Sequence, residues 1–482
     1  MNRSLSVLAS LLALAVVSFG QVWEKSIAPG LTYRMDVDLA TPRIVHALRF
    51  SLGSPSLKLS SELADGTIYS DNPTKGRETV TEMVTRTGAL AGVNGDFFPF
   101  TGDPLGTMVH DGALLSIPSR PRAVFGWGPK DSVSSFVDFQ GSMEVNGTKT
   151  DLDGLNEECP QNKLVLNTEI TAIAMAKTPC LHAVIQMDAA DWKPNGVYTG
   201  TFMSVFKDAP KLPIQPGNAI VTACGTKMAV LQSLVPGQKV TFRFQTKGFD
   251  WTKIDQTMGG GPVLVRDGKP AIDAAAEGFN ADFIEKHHPR TALGRTADGD
   301  IWLVVVDGRQ KISDGASLDD MAKVMLKLGC VDAINLDGGG SSALNILGIT
   351  LNRPSDGKER PVANGVLVFG PKPDVSVGPL TLKTPAKLVT GTPATLTVVD
   401  KDGNLIPNAE VLWASQGDAW IDQGGLVRTI QRGKVDVQAL VRGQLLKATL
   451  EIADPDPKAA IKARAGSKNS RGKKGGGRQS RA

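Results

Sequence analysis

Three short segments place residue types together that could act on a charged ester. They are Asn335-Leu-Asp-Gly-Gly-Gly-Ser-Ser342, Asp307-Gly-Arg-Gln310 and Asn94-Gly-Asp-Phe-Phe98. Carboxylates serve as nucleophile, base or acid at a sugar carbon. Consecutive glycines let the backbone approach a ligand closely and can aim several N–H groups at an anion. Ser341 and Ser342 add hydroxyl groups, and Arg290 adds paired N–H donors suited to a phosphate. Arg360 and Asn364 stand just before a further apolar run, Gly365-Val-Leu-Val-Phe369. Two other Asp-Gly turns, at Asp111 and Asp267, read as ordinary structural turns. His287 and His288 lack a third ligand at motif spacing and read as an exposed loop rather than a metal site.

The elements that must position these residues are legible as a strand–helix–strand unit. Thr291-Ala-Leu-Gly-Arg-Thr296 and Ile301-Trp-Leu-Val-Val-Val306 read as strands joined by Ala297-Asp-Gly-Asp300. If Asp298-Gly299 is a two-residue hairpin loop, Arg290 falls opposite Asp307 at one end of the sheet. Ser317 is a helix N-cap with Asp320 at capping-box spacing. Leu318, Met321, Val324, Met325 and Leu328 then form one apolar stripe, which Gly329 ends. Val331-Asp-Ala-Ile-Asn-Leu336 is the next strand. Parallel strands would bring Asp307 and Asp337 out at the same sheet edge, where α/β folds place ligands.

The chain resembles the phosphodiester glycosidase family. The resemblance rests on Asn94-Gly-Asp-Phe-Phe98, Arg290-Thr-Ala-Leu-Gly294, Asp307-Gly-Arg-Gln310, Ser317-Leu-Asp-Asp-Met-Ala322, Asn335-Leu-Asp-Gly-Gly-Gly-Ser-Ser342, Arg360 and Asn364, in order over roughly 290 of 482 residues. It implies cleavage of a sugar C1–O–phosphate link to free sugar and a phosphate monoester. The catalytic set it implies is Asp307, Asp337, Arg290 and Asn94. The substrate-binding set is Asp96, Arg309, Gly338, Gly339, Gly340, Ser341, Ser342, Thr291, Arg360 and Asn364. Arginine can stabilise a phosphate leaving group without donating a proton. No cofactor is required, although clustered aspartates beside a phosphate also suit Mg²⁺ or Ca²⁺. The competing readings are a non-catalytic envelope-glycan-binding protein and a metal-dependent phosphodiesterase that cuts the other P–O bond.

Composition frames these motifs. Apolar residues at 41% and charged residues at 21% allow a normal core, and 52 glycines with 29 prolines suit many short strands. Arg3, the apolar Leu5–Val17 run and Ser18-Phe19-Gly20 form an export pattern. The expected location is therefore secreted or periplasmic, with no membrane span in the mature chain. Removing the nine Lys and Arg of 458–482 from a net charge of +4 leaves −5, so a nucleic-acid-binding body is not expected. The tail is a candidate for attachment to an anionic envelope polymer. Cys159 and Cys180 are the first candidates for a disulfide, and Cys330 reads as a buried thiol. The expected fold class is α+β, a mixed sheet with few helices. The expected divisions are a signal peptide at 1–20, a β-rich segment at 21–80, the glycosidase-like domain at 81–371, an immunoglobulin-like sandwich at 374–453 and a disordered basic tail at 454–482. Residues 140–250 show no legible chemistry.

Overall fold

The computed structural model describes residues 20–176, 179–373 and 378–455. The signal segment up to residue 19 and the basic tail from residue 456 lie outside the described residues. About 48% of the described chain is strand and 9% helix, so the protein is mostly β and the α+β expectation is corrected. The reason lies in residue choice. Val, Ile, Thr and aromatic runs bounded by Gly and Asn turns recur along the whole chain, and only one apolar stripe of period 3.6 reaches ten residues.

One eight-stranded sheet organises the site. Its order runs Gln21–Ala28, Leu31–Asp38, Arg43–Phe50, Ile301–Val306, Arg290–Thr296, Cys330–Asn335, Val263–Arg266 and Lys269–Pro270. The N-terminal strands thus complete the same sheet as the motif-bearing ones. Arg290–Thr296 is antiparallel to both Ile301–Val306 and Cys330–Asn335. Those two strands therefore run in the same direction, with one strand between them, and both end at one edge.

The hairpin register differs from the expectation by one residue. Arg290 faces Val306, because the connection between Thr296 and Asp300 is three residues long and Gly299 takes φ 93°. A glycine in the left-handed region is what a three-residue hairpin loop requires. Side chains alternate across a strand, so a slip of one residue moves Arg290 to the opposite face from Asp307. Ala292, Val304 and Val306 pack beneath the helix Leu318–Lys327, whereas Leu293 and Val305 belong to the core on the other face.

That helix forms as its sequence predicts. Ser317 Oγ accepts the Asp320 N–H at 3.1 Å, and Leu318, Met321, Ala322 and Met325 are buried on the sheet. Burial of such side chains contributes about 2–3 kcal/mol each. The Asp320 carboxylate does not close a capping box; it accepts from Arg43 at 2.8 Å.

A five-stranded sheet ordered Ile349–Thr350, Leu344–Ile346, Ala91–Asn94, Asn364–Phe369 and Lys58–Leu63 closes over the other face of the large sheet. Leu293, Leu303, Val305 and Ile334 meet Val93, Leu344 and Val366 between them. Another five-stranded sheet contains Gln256–Gly259 and Ala123–Trp127. A second eight-stranded sheet runs from Thr148–Leu152 at one end to Gly154–Leu155 at the other and occupies most of the stretch that showed no chemistry.

The C-terminal part comprises two-, four- and three-stranded sheets around the fully buried Trp413. Its four-stranded sheet includes a parallel pair, Leu388–Val389 with Gln444–Ala453. The immunoglobulin-like sandwich is not established by this arrangement. Alternating runs report strands, but not how those strands are connected and stacked. The part is tied to the rest of the chain by Arg353, which donates to the Ala419 and Gly417 carbonyls, each at 2.6 Å. Cys159, Cys180, Cys224 and Cys330 are all buried and none is in a disulfide, which corrects the Cys159–Cys180 expectation. Cys159, Cys180 and Cys224 instead share one small buried cluster, with Cys180 and Cys224 paired across adjacent strands.

Candidate active site

The site forms where the ends of Ala91–Asn94 and Cys330–Asn335 meet. Asn94 is fully buried and uses both ends of its amide to join them. Its Nδ2 donates to the Asp337 carbonyl at 2.8 Å. Its Oδ1 accepts from the Thr291 hydroxyl at 2.8 Å and the Ala343 N–H at 3.1 Å. The Asp337 N–H donates to the Gly95 carbonyl at 3.0 Å. Asn94 and Thr291 therefore position the strand ends, with the Asn94 Oδ1 accepting twice and one of its two N–H donors spent on the Asp337 carbonyl. Thr291 Oγ1 also lies 3.2 Å from Ser342 Oγ, from which it can accept.

This junction brings two carboxyl groups, Asp96 and Asp337, within electrostatic range, since the Asp337 charge acts on Asp96. Asp96 is 1% exposed; its oxygens accept the Phe97 N–H at 2.7 Å and the Gly106 N–H at 2.5 Å. Asn364 holds the Asp96 backbone through a 2.8 Å bond from its N–H to Asn364 Oδ1. Burial pushes the Asp96 carboxyl up to about 7, against the pull of those N–H groups and Arg122, and the Asp337 charge pushes the same way as burial. Asp337 is half-buried. Burial lifts its carboxyl to about 6, opposed by the Ser341 hydroxyl, the Gly338 N–H, Arg360 and Arg122. Carboxyls raised in this way toward neutral pH suit acid–base work.

Asp307 stands apart from this pair. It is 1% exposed and accepts the Arg353 N–H at 2.8 Å, with Asn352 Nδ2 at 3.5 Å and His46 Nε2 at 3.4 Å. His46 in turn meets the Tyr33 hydroxyl at 2.8 Å. Asp307 and Asp337, expected to converge from the shared sheet edge, share no hydrogen-bond partner among the described residues. Asp307 braces the segment that carries Arg353 and the C-terminal sheets, because its side chain points to the core face, where polar partners enclose it.

The arginines divide in the same way. Arg290 is 1% exposed and donates to the Ala316, Phe283 and Lys286 carbonyls at 2.9, 2.6 and 3.1 Å. Burial, reinforced by Arg309, lowers it to about 10. Among the described residues it pairs with no carboxylate, so the expected Arg290–Asp307 pairing is corrected. Arg309 is exposed at φ 58°, with its guanidinium against Gly339 and Nη2 3.3 Å from His288. Arg360 donates to Asp356 at 2.7 Å, and its Nη1 lies 3.5 Å from Ser341 Oγ. Gly340 matters here for space, because a Cβ would collide with the Arg360–Asp356 pair.

The glycine turn is not an open cradle of donors. The Gly338 N–H bonds Asp337 Oδ1 at 2.8 Å, the Gly339 N–H bonds Pro289 O at 2.9 Å, and the Ser341 and Ser342 N–H groups bond within the turn. Its function in the structure is to present the Asp337 carboxylate and the Ser341 hydroxyl. His287 is exposed, with Nδ1 2.6 Å from Asp314. Asp111 and Asp267 occupy left-handed turn positions, as expected. Among the described residues no three His, Cys, Asp or Glu side chains are grouped to hold a metal ion.

Arg122 was missed in the sequence. It is 6% exposed and rests against the Phe97 and Phe279 rings, at 5.0 and 4.9 Å from their centres. Its segment, Arg120-Pro-Arg122, has no motif that separates it from a surface turn. Only the paired sheets bring it to Asp96 and Asp337.

Residues 194–369 match the family model described as phosphodiester glycosidase. The matched stretch contains Arg290, Asp307, the 335–342 turn, Arg360 and Asn364; Asn94, Asp96 and Arg122 precede it. The chain is 31% identical over 223 residues to the SPbeta prophage-derived uncharacterized protein YomE of Bacillus subtilis, covering 42% of this chain and 30% of that one. It is 37% identical over 111 residues to N-acetylglucosamine-1-phosphodiester alpha-N-acetylglucosaminidase of Bos taurus, covering 21% of each. The chain thus spans less than a third of the length of these relatives. A crystal structure of a hypothetical protein from Synechocystis shares the fold with TM-score 0.61 at 20% identity, over 73% of this chain and 64% of that one.

Proposed function

We propose, from the premise that residues 194–369 match the phosphodiester glycosidase family, that this protein hydrolyses the C1–O bond of a sugar-1-phosphodiester. The observation that carries the reading is the Asp96–Asp337 pair, set at two strand ends by Asn94 and open to solvent on the Asp337 side.

Asp337 takes the proton of a water whose oxygen bonds to C1, or attacks C1 directly. The C1–O bond breaks with its electron pair going to the phosphate oxygen, and Asp96 gives that oxygen its proton. In the direct route the C1–Asp337 ester so formed is then broken by a water that gives its proton back to Asp96, and in both routes the products are free sugar and a phosphate monoester. The anomer released distinguishes the two roles of Asp337, inversion for the water route and retention for direct attack. Ser341 and Arg360 border the pair and would orient the charged ester. Asn364 and Asn94 act through the backbone they hold. Arginines supply positive charge at the site, so hydrolysis is expected to survive exhaustive chelation.

The export pattern at the N-terminus supports action on an envelope or extracellular glycan, with the basic tail attaching the protein to an anionic polymer. Among the described residues no helix is long and apolar enough to cross a membrane.

The test is incubation with simple sugar-1-phosphodiesters, with and without chelator. Free sugar is expected, with Asp337→Asn slower by at least about 10³-fold, the scale of losing a catalytic carboxylate. A sugar-1-phosphate product would identify a phosphodiesterase instead. Binding without turnover would identify a glycan-binding protein, and near-normal release by Asp337→Asn would remove Asp337 from the chemistry.

A further inference from the structure

We infer that Arg122 is the anion-binding residue of this site, gripping the phosphate of the substrate through guanidinium N–H groups that the protein itself leaves unpaired. The inference rests on the reading of the site as a sugar-1-phosphodiester hydrolase and names the group that selects the charged ester.

A buried guanidinium normally spends its donors on carbonyls or carboxylates. Arg290 does so with three backbone carbonyls. Arg122, as deeply placed at 6% exposure, does not: its Nε and Nη1 have no hydrogen-bond partner among the described residues. Carboxylates are near enough to feel its charge, namely Asp96, Glu277 and Asp337. Their oxygens are largely committed elsewhere. Glu277 accepts the Val263 and Ala123 N–H groups, each at 2.8 Å, and Asp96 accepts those of Phe97 and Gly106. The backbone thus satisfies the acids and leaves the base unpaired.

Position and rigidity agree with this assignment. The Phe97 and Phe279 rings meet at a tilt with their centres 5.4 Å apart, and both hold the Arg122 guanidinium by cation–π contact. Phe97 directly follows Asp96, so the aromatic that seats the arginine and the acid share one turn. Burial lowers the Arg122 pKa, with Arg120 adding to the effect, so an anion arriving at its N–H groups meets a cation poorly compensated in the free protein. A phosphodiester carries one negative charge and offers two unesterified oxygens. Its chemistry fits the donors left open, next to the carboxyls that would act on C1.

The experiment compares wild type, Arg122→Met and Arg122→Lys, each checked for folding by thermal melt. Kinetics on a sugar-1-phosphodiester are set against kinetics on the uncharged aryl glycoside of the same sugar. Inorganic phosphate binding is measured by calorimetry. Arg122→Met is expected to lose at least about 100-fold in kcat/KM on the diester, mostly in KM, and at least about tenfold less on the aryl glycoside. Wild type binds phosphate and Arg122→Met does not. Arg122→Lys recovers part of the diester selectivity, because the charge returns without the planar fork, and it carries the test if the Met variant does not fold. Equal losses on both substrates, with phosphate binding unchanged, overturn the inference and leave the glycosidase reading standing. If wild type hydrolyses no diester, that reading fails. The arginine assignment is then decided by phosphate binding alone, and absence of binding to wild type overturns it.

Discussion

Replacing Asp96 with Asn should stabilise the protein at pH 8, leave it nearly unchanged at pH 4.5, and abolish turnover. Asp96 is 1% exposed, and burial raises its carboxyl from 3.8 to about 7. In the unfolded chain the same group ionises near 3.8. Below that value both states carry the proton, and the group adds no pH dependence. Between it and about 7 the folded state holds a proton that the unfolded state has released, so stability falls as pH rises. Above about 7 the penalty is constant. At about 1.36 kcal/mol per pH unit the full span is worth about 4 kcal/mol. Asn has the shape of the neutral acid and keeps one acceptor for the Gly106 or Phe97 N–H, so at pH 4.5 the exchange costs roughly 1 kcal/mol or less. Urea unfolding of both proteins at pH 4.5, 6 and 8 measures the difference directly. It should grow with pH to a gain of several kcal/mol for the variant. Stability curves that stay parallel across this range would show that Asp96 ionises as an ordinary carboxyl, and the proton-donor role would fall with it.

Two further outcomes follow from the same geometry. Turnover needs Asp337 ionised and Asp96 protonated, so kcat/KM should rise through about pH 6 and fall above about pH 7, a narrow bell; a flat profile from pH 5 to 8 would separate these carboxyls from catalysis. Asp307→Ala should cost about 2–3 kcal/mol in urea unfolding, because the Arg353 N–H and His46 lose their acceptor, while kcat per folded molecule stays within a few-fold; unchanged stability with collapsed kcat would return Asp307 to the chemistry.

The sequence by itself determined the local chemistry of the site. The Asn335–Ser342 run reads as a strand end carrying an acid on a glycine turn, and Asp337 stands there in the structure. Ser317 and the stripe from Leu318 to Met325 specify the helix, because capping and a 3.6-residue period are properties of neighbours in the chain. What the tertiary structure decided is which acid joins Asp337. Asp307 and Asp337 leave strands of the same direction, yet alternation across the sheet sends Asp307 into a network with His46 and Arg353. Asp96 arrives from another sheet through Asn94, a contact between residues 243 apart in sequence. Arg290 illustrates the same limit: a loop one residue longer than a two-residue turn moved it to the opposite face. Arg122 was invisible for the same reason, since the lack of a partner for its Nε and Nη1 among the described residues is a property of the packed core and not of any spacing along the chain.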